Sequence, residues 1–220
     1  MAFNVKTELT DVDYELIFKE TWLEGAVEKN RMSIVKQLLK SFQLHLNDIK
    51  FDNTAPSDKM IFFSRFYDET FLNVNFGLEQ IHVTVKRNQS QEKLIKLLTN
   101  IYDIVRSKTF ISQHIILNQH MIAEKNVNEY LETLNPNTPD EIKDFTTGRG
   151  VSYRIADKDK QMEMSVVVTN SAMLENGIYF NFNCQFRPNP YDLETASELV
   201  KAKYDLITKA LNLEIDQNEY

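Results

Sequence analysis

Two stretches of this chain, residues 60–86 and 151–187, carry apolar side chains at alternate positions. A period of two is typical of β-strands that bury one face, and turn-forming residues divide each stretch into three strands. After each stretch, apolar residues recur at helical spacing, which predicts a long helix. The order of three strands and one helix therefore occurs twice, and it constrains the fold more than any other feature of the sequence.

The bounds of these elements follow from the alternation and from the turn residues. The predicted elements are strands 60–67, 71–76 and 80–86 with a helix capped by Ser90, and then strands 151–155, 163–169 and 178–187 with a helix over 193–211. Residues 71–76 and 179–184 share two asparagines that alternate with apolar residues. A duplication would explain this likeness, but any half-buried strand has the same pattern, and we prefer that simpler interpretation.

The remaining segments are less regular. Within the first segment, residues 11–16 alternate like a strand, although a helix over 12–23 fits nearly as well. The spacing of apolar residues predicts an amphipathic helix over 26–42, a strand over 110–122 and a short helix over 127–134. The polar tail, residues 214–220, is predicted to be frayed.

Together these elements predict an α+β fold, in which antiparallel sheet meanders carry long helices packed on one face. The fold could consist of two similar β-β-β-α halves, an N-terminal half over 1–110 and a C-terminal half over 111–220. A chain of 220 residues fits two small domains or one large one. The two halves could therefore also form one continuous domain.

Charge and cysteine content narrow the partners and the compartment. The net charge is −7, so phosphate backbones and anionic membranes would repel the chain. No apolar run is long enough for a membrane-spanning helix, and no signal peptide is visible at Met1. The single cysteine, Cys184, cannot form an intrachain disulfide. We therefore expect a soluble cytoplasmic protein that binds neither nucleic acid nor membranes.

The sequence contains no recognisable catalytic motif. Its four histidines are not spaced like zinc ligands, and the Gly-rich segment 147–150 lacks the spacing of phosphate-binding loops. Cys184 has the inward parity of its strand, where a thiol behaves as an inert apolar group. We therefore predict no catalytic residue, no cofactor and no metal site, and we favour a protein that is not an enzyme.

Four residues are candidates for an interaction surface. Trp22 is the only tryptophan, and Phe63 and Tyr67 share one side of an aromatic strand. Such a strand is either central in a two-layer fold or buried at an interface. Arg149 occupies the Gly-rich loop and is the fourth candidate.

Two functions remain open at this stage. The missing catalytic residues, the acidic charge and the aromatic strands favour a non-enzymatic protein-binding module, of adaptor, immunity or chaperone type. The alternative is a small-molecule-binding protein or an enzyme whose site is assembled from residues distant in sequence. Strands 71–76 and 178–186 lack charged residues, so at least one of them must lie inside the sheet or against a second subunit. We therefore also predict a homodimer.

Overall fold

A computed structural model describes residues 2–22, 27–42, 45–51, 59–67, 70–88, 90–105, 108–136, 149–187 and 191–216. Within these ranges the strands are β1 (Phe3–Phe18), β2 (Ile49–Phe51), β3 (Lys59–Tyr67), β4 (Thr70–Gly77), β5 (Gln80–Lys86), β6 (Phe110–Ala123), β7 (Gly150–Asp157), β8 (Met162–Asn170), β9 (Gly177–Phe186) and β10 (Leu213–Asp216). The helices there are α1 (Glu28–Phe42), α2 (Gln91–Val105), α3 (Val127–Leu134) and α4 (Leu193–Ala210), with a 3₁₀ turn at Leu46–Asp48.

All ten strands belong to one sheet, which is built around the two longest strands. β1 pairs antiparallel with β6 along nearly its whole length, and the strand order is β2-β3-β4-β5-β1-β6-β9-β8-β7. β5 reaches only the second part of β1, at Val12–Ile17, and β10 runs parallel to its first residues, Phe3–Lys6. The chain is therefore a mixed α+β protein with a continuous, mainly antiparallel sheet.

The alternation in the sequence corresponds to one buried face of this sheet. In β9 the fully buried side chains of Phe180, Phe182 and Phe186 alternate with half-buried polar ones. β4, β5 and β8 show the same alternation. Directly opposite residues of neighbouring strands share a face, so pairs such as Val166 and Phe182 bring the buried side chains into one apolar layer.

Helix side chains pack against that layer. Tyr204 of α4 meets Phe180 and Phe182 edge-on, with ring centroids 5.5 and 5.8 Å away. Tyr130 of α3 stacks on Phe3 of β1, with the centroids 4.2 Å apart. None of the helices in the described ranges combines the length and the apolar composition needed to span a lipid bilayer.

The helices begin where capping residues occur. Ser90 and Asp192 each accept a hydrogen bond from the backbone N–H three residues later, at 3.3 and 2.9 Å. Asn126 accepts one from the N–H two residues later, at 2.9 Å. These side chains satisfy donors that the first turn of a helix leaves unpaired. The cap predicted at Ser90 is confirmed.

The structure decides between the two interpretations of the N-terminal segment and corrects the prediction for the C-terminal tail. The ambiguous N-terminal segment is a strand, because the whole of β1 is held between β5, β6 and β10. The prediction of a frayed tail is wrong for Glu214–Asp216, which belong to β10. Asn212, at φ 57°, turns the chain back after α4, and buried Leu213 then anchors it beside β1. Residues 217–220 lie outside the described ranges.

The two uncharged strands lie inside the sheet. Residues 71–76 are in β4, between β3 and β5, and residues 178–186 are in β9, between β6 and β8. Neighbours on both sides hold the backbone groups of these strands in ladder hydrogen bonds, so no charged side chains are needed to protect them. Their lack of charge therefore needs no second subunit, and a homodimer requires a different argument.

Candidate functional site

Polar side chains form a second layer on the face of the sheet opposite the buried one. They alternate with the buried residues of the three adjacent strands β5, β1 and β6. We call this layer the polar face; its central members are Asp11, Asp13, Glu15, His82, Thr84, His114 and Asn118. Three carboxylates at alternate positions of β1 thus lie along the middle of the sheet. The neighbouring strands β5 and β6 contribute His82 and His114 on either side.

Asp13 has polar partners on both neighbouring strands. Its Oδ1 accepts a hydrogen bond from Oγ1 of Thr84 at 2.7 Å, and its Oδ2 accepts one from Nδ2 of Asn118 at 3.3 Å. Nε2 of His82 lies 3.3 Å from Oδ1. The hydrogen bond with His82, helped by that from Thr84, lowers the pKa of Asp13 although burial opposes this. Asp13 is therefore held as a carboxylate.

Glu15 lies between the two histidines. One of its carboxylate oxygens is 3.8 Å from Nε2 of His82, and the other is 3.8 Å from Nδ1 of His114. Burial lowers the pKa of His114, and nearby Arg187 lowers it further, whereas Glu15 opposes both. The side chain of His114 is 17% exposed and that of Glu15 is 27% exposed, so this pair remains in contact with solvent.

A shallow depression lies beside His114. In the orientation that satisfies its neighbours, the amide oxygen of Gln185 accepts from Nε2 of His114 at 2.8 Å and from Nε of Arg187 at 2.6 Å. The depression has a volume of about 280 Å³, and its lining includes Arg154 and Glu163 as well as His114. Its open shape and polar lining differ from the enclosed apolar pockets that usually hold small molecules.

The arrangement does not match a nucleophilic catalytic triad. In such a triad one ring nitrogen of the histidine faces the nucleophile and the other faces the carboxylate. Here the same atom, Nε2 of His82, lies 3.5 Å from Oγ1 of Thr84 and 3.3 Å from Asp13. The Thr84 hydroxyl also donates a hydrogen bond directly to the carboxylate of Asp13. These contacts orient a polar surface and do not activate a nucleophile.

Metal and thiol chemistry receive no support from the described part of the chain. No group of three or more His, Cys, Asp or Glu side chains is placed there to hold a metal ion. Cys184 is fully buried on the apolar side of β9, as its parity predicts, and burial raises the pKa of its thiol to about 12. A thiol in that state is neutral and unreactive.

The residues predicted to form an interaction surface do not meet at one place that the structure describes. Trp22 is buried, stacks edge-on against Phe18 with centroids 5.5 Å apart, and donates its backbone N–H to Leu78. Arg149 directly precedes β7, and its guanidinium is 3.0 Å from the carboxylate of Glu132, with 15% of the side chain exposed. Phe63 and Tyr67 lie in β3, but their side chains are outside the described set. Their role in binding stays a prediction.

The sequence pattern shows which polar residues share one side of a strand, but it does not show which strands are neighbours. Asp11, Asp13 and Glu15 share one parity of β1, and His82 and Thr84 share one parity of β5. Which strands become neighbours is a property of the topology, and it was not predictable from spacing alone.

No protein-family model matches this chain, and a search of curated proteins finds no match either.

Proposed function

We propose that the chain is a non-enzymatic protein-binding module of adaptor, immunity or chaperone type, and that it binds its partner through the polar face. The observation that carries the proposal is the row of three carboxylates, Asp11, Asp13 and Glu15, on the central strand of the sheet. Half-buried carboxylates that are already held by hydrogen bonds or by charged neighbours lose little side-chain entropy when a partner binds.

The width of the polar face supports a macromolecular partner. From β4 to β8 the sheet has five inter-strand spacings, which together measure about 24 Å at about 4.8 Å each. A surface of this width and polarity resembles the hydrated, polar part of a protein interface more than a small-molecule pocket. The net charge of −7 would steer a partner that carries basic groups toward the carboxylates.

A comparative pull-down from an extract of the native host tests this proposal. The baits are the wild-type chain, a double variant with Asp13→Asn and Glu15→Gln, and a control with Glu198→Gln, an exposed carboxylate on α4. Wild type and control are expected to recover the same stoichiometric protein at low salt, and the double variant about tenfold less. No stoichiometric partner, or equal recovery by all three folded baits, would contradict the proposal.

A small-molecule-binding protein or enzyme remains the second candidate, and the depression beside His114 favours it. Arg154 and Glu163 both line that depression, so an ion with both charges would find partners there. Titration calorimetry with zwitterionic and anionic metabolites tests it. Saturable heat that disappears in Arg154→Ala would support this second function over the first.

The proposal extends to the architecture and the compartment. We propose that the long helices cover only the apolar face. The buried side chains of α1, α2 and α4 support this, because they belong to the same core as those of the strands. Two similar halves meet at the β1–β6 pair, which is supported by the matching order β5-β4-β3 on one side and β9-β8-β7 on the other. The cytoplasm remains the expected compartment. Self-association as a homodimer is also proposed.

A further inference from the structure

β7 forms one end of the sheet and is unusually exposed. It pairs with β8 along all eight of its residues, and no strand in the described ranges pairs with its other side. Five consecutive residues of β7 are exposed, whereas every second residue of β8 is buried. The exposed ones are Ser152, Tyr153, Arg154, Ile155 and Ala156. A strand of this length with one row of backbone donors and acceptors left open is a template for another strand.

The apolar layer of the core continues to this edge. Tyr153 and Ile155 lie opposite the buried residues Val166 and Met164 of β8, so they share the apolar side of the sheet, yet each is 38% exposed. Leu206 on α4 is 59% exposed and lines a groove of about 410 Å³ together with Ile155 and Met164. The groove is also lined by charged residues, among them Asp157 and Lys203, which form an ion pair at 2.6 Å. The open edge thus carries exposed apolar side chains beside a charged end, and a partner strand would bury the apolar part.

We propose that a second copy of this chain pairs antiparallel with β7, about a two-fold axis that passes through Tyr153. In this register Tyr153 faces Tyr153 of the second copy, and Val151 faces Ile155 of the second copy. All three residues have the apolar parity, so the cross-strand pairs on that side are apolar. At the strand ends Arg149 faces Asp157 of the second copy. Each already has an ion-pair partner in its own chain, Glu132 at 3.0 Å and Lys203 at 2.6 Å, so no unpaired charge is brought into the interface.

Neighbouring registers are less favourable. An axis through Arg154 would place two guanidinium groups directly opposite each other, and like charges in that position destabilise a strand pair. An axis through Ser152 would place Ile155 opposite Arg149. The register through Tyr153 avoids both contacts and pairs the whole strand, so the cross-strand pairs of β7 with itself match in polarity.

The self-complementary register is also the reason to choose a second copy over an unrelated strand. β7 contains one Arg and one Asp, so it has no net charge that would attract a basic or an acidic segment. A two-fold axis perpendicular to the sheet places both α4 helices on one side, so that Leu206 of each copy adds to one apolar strip. Because each chain carries a net charge of −7, screening by salt should strengthen the dimer.

Light scattering after size exclusion measures the assembly. At high micromolar concentration and moderate salt, the wild-type chain is expected at twice the chain mass of 25.8 kDa, and Ile155→Lys at the single mass. Met173→Lys is the matched control, since Met173 is 63% exposed and lies in the loop that joins β8 to β9. A wild-type mass near that of one chain at all concentrations, or an unchanged dimer in folded Ile155→Lys, would overturn the proposal.

Cysteine cross-linking tests the register and does not depend on a lysine at the edge. Directly opposite residues of paired strands are close enough for a disulfide. Mild oxidation of Tyr153→Cys should give a covalent dimer in high yield, whereas Met173→Cys should give little; the native Cys184 is buried and stays reduced. Equal yields in the two variants would exclude this interface. The variant with Asp13→Asn and Glu15→Gln should still dimerise, which separates this proposal from the binding function of the polar face.

Discussion

Strands β3 and β7 occupy equivalent positions near the two ends of the sheet, but among the described residues only β3 is covered by a further strand. Counting outward from the central β1–β6 pair, β3 and β7 are each the third strand on their side. β3 carries a further short strand, because β2 pairs with its residues Ile61–Phe63. In the described part of the chain β7 has no such cover, and its apolar-parity residues Tyr153 and Ile155 are exposed.

This difference shows how a protein can reserve one edge of a large sheet. At the β3 end the outermost strand, β2, is only three residues long, and a very short edge strand is a common way to limit further pairing. β7 instead has Ser152, Arg154 and Asp157 among its eight residues, and none of them prevents pairing in a self-complementary register. The β7 end is therefore the side of the sheet at which we expect assembly.

The largest effects should come from truncating aromatic residues in the interior strands. Phe76 of β4 and Phe182 of β9 are both fully buried between two neighbouring strands. Replacing either with Ala should lower the free energy of unfolding by about 3–5 kcal/mol, because the core cannot close the cavity. Ile155→Ala at the exposed β7 edge should cost less than about 1 kcal/mol in dilute protein. Urea denaturation measures all three, and a cost for Ile155→Ala equal to that of Phe182→Ala would refute the comparison.

Two glycines give a smaller but more local contrast. A Cβ at Gly177 of β9 would lie 2.5 Å from Cβ of Leu174 and 3.1 Å from the carbonyl oxygen of Met121 on β6. A Cβ at Gly150 of β7 would lie 2.9 Å from Cβ of Thr169. Because an end strand can shift outward and β9 cannot, Gly177→Ala should cost about 1–3 kcal/mol and Gly150→Ala clearly less. Thermal denaturation of both variants checks the order, and a reversed order would show that the β7 end is the more rigid.

The smallest effect concerns pH at the centre of the sheet. The pKa of His114 is lower in the folded chain than its ordinary value of 6.5, so just below that pH the unfolded chain binds more protons. Stability should therefore decrease as pH falls from about 6.5 toward the folded pKa, and it should be independent of this group at higher pH. His114→Gln should flatten that part of the curve. Parallel curves for wild type and variant, measured by urea denaturation between pH 5 and pH 8, would remove His114 as the source.

Sequence periodicity predicted most of the elements but not their neighbours. Strands such as 80–86 and the helix over 127–134 match the structure because alternation and helical spacing are local properties. Leu213–Asp216 was missed because four residues are too short for a pattern, and only the contact with β1 makes them a strand. The charged residues Arg154 and Asp157 of β7 are consistent with an edge strand, whereas 178–186, which lies inside the sheet, contains no charged residue.

The polar face depended on the topology in the same way. The parity of Asp13 and Glu15 indicates that they share a side of β1, but contacts with His82 and His114 arise from residues about 70 and 100 positions away along the chain. Spacing carries no information on such distant pairing, since it is set by the burial of the whole apolar layer. Trp22 was a candidate because of its residue type, and only the packing against Phe18 places it in the core.

Hydrogen–deuterium exchange of the β7 amides at two protein concentrations tests most directly whether this strand is an open edge used for self-association. At low micromolar concentration, the amides of 150–157 that point away from β8 should exchange rapidly, while those of 177–186 remain protected on both sides. At high micromolar concentration the same β7 amides should become protected, and 177–186 should not change. Protection of β7 that is equal to that of β9 at low concentration, or that does not depend on concentration, would contradict the account.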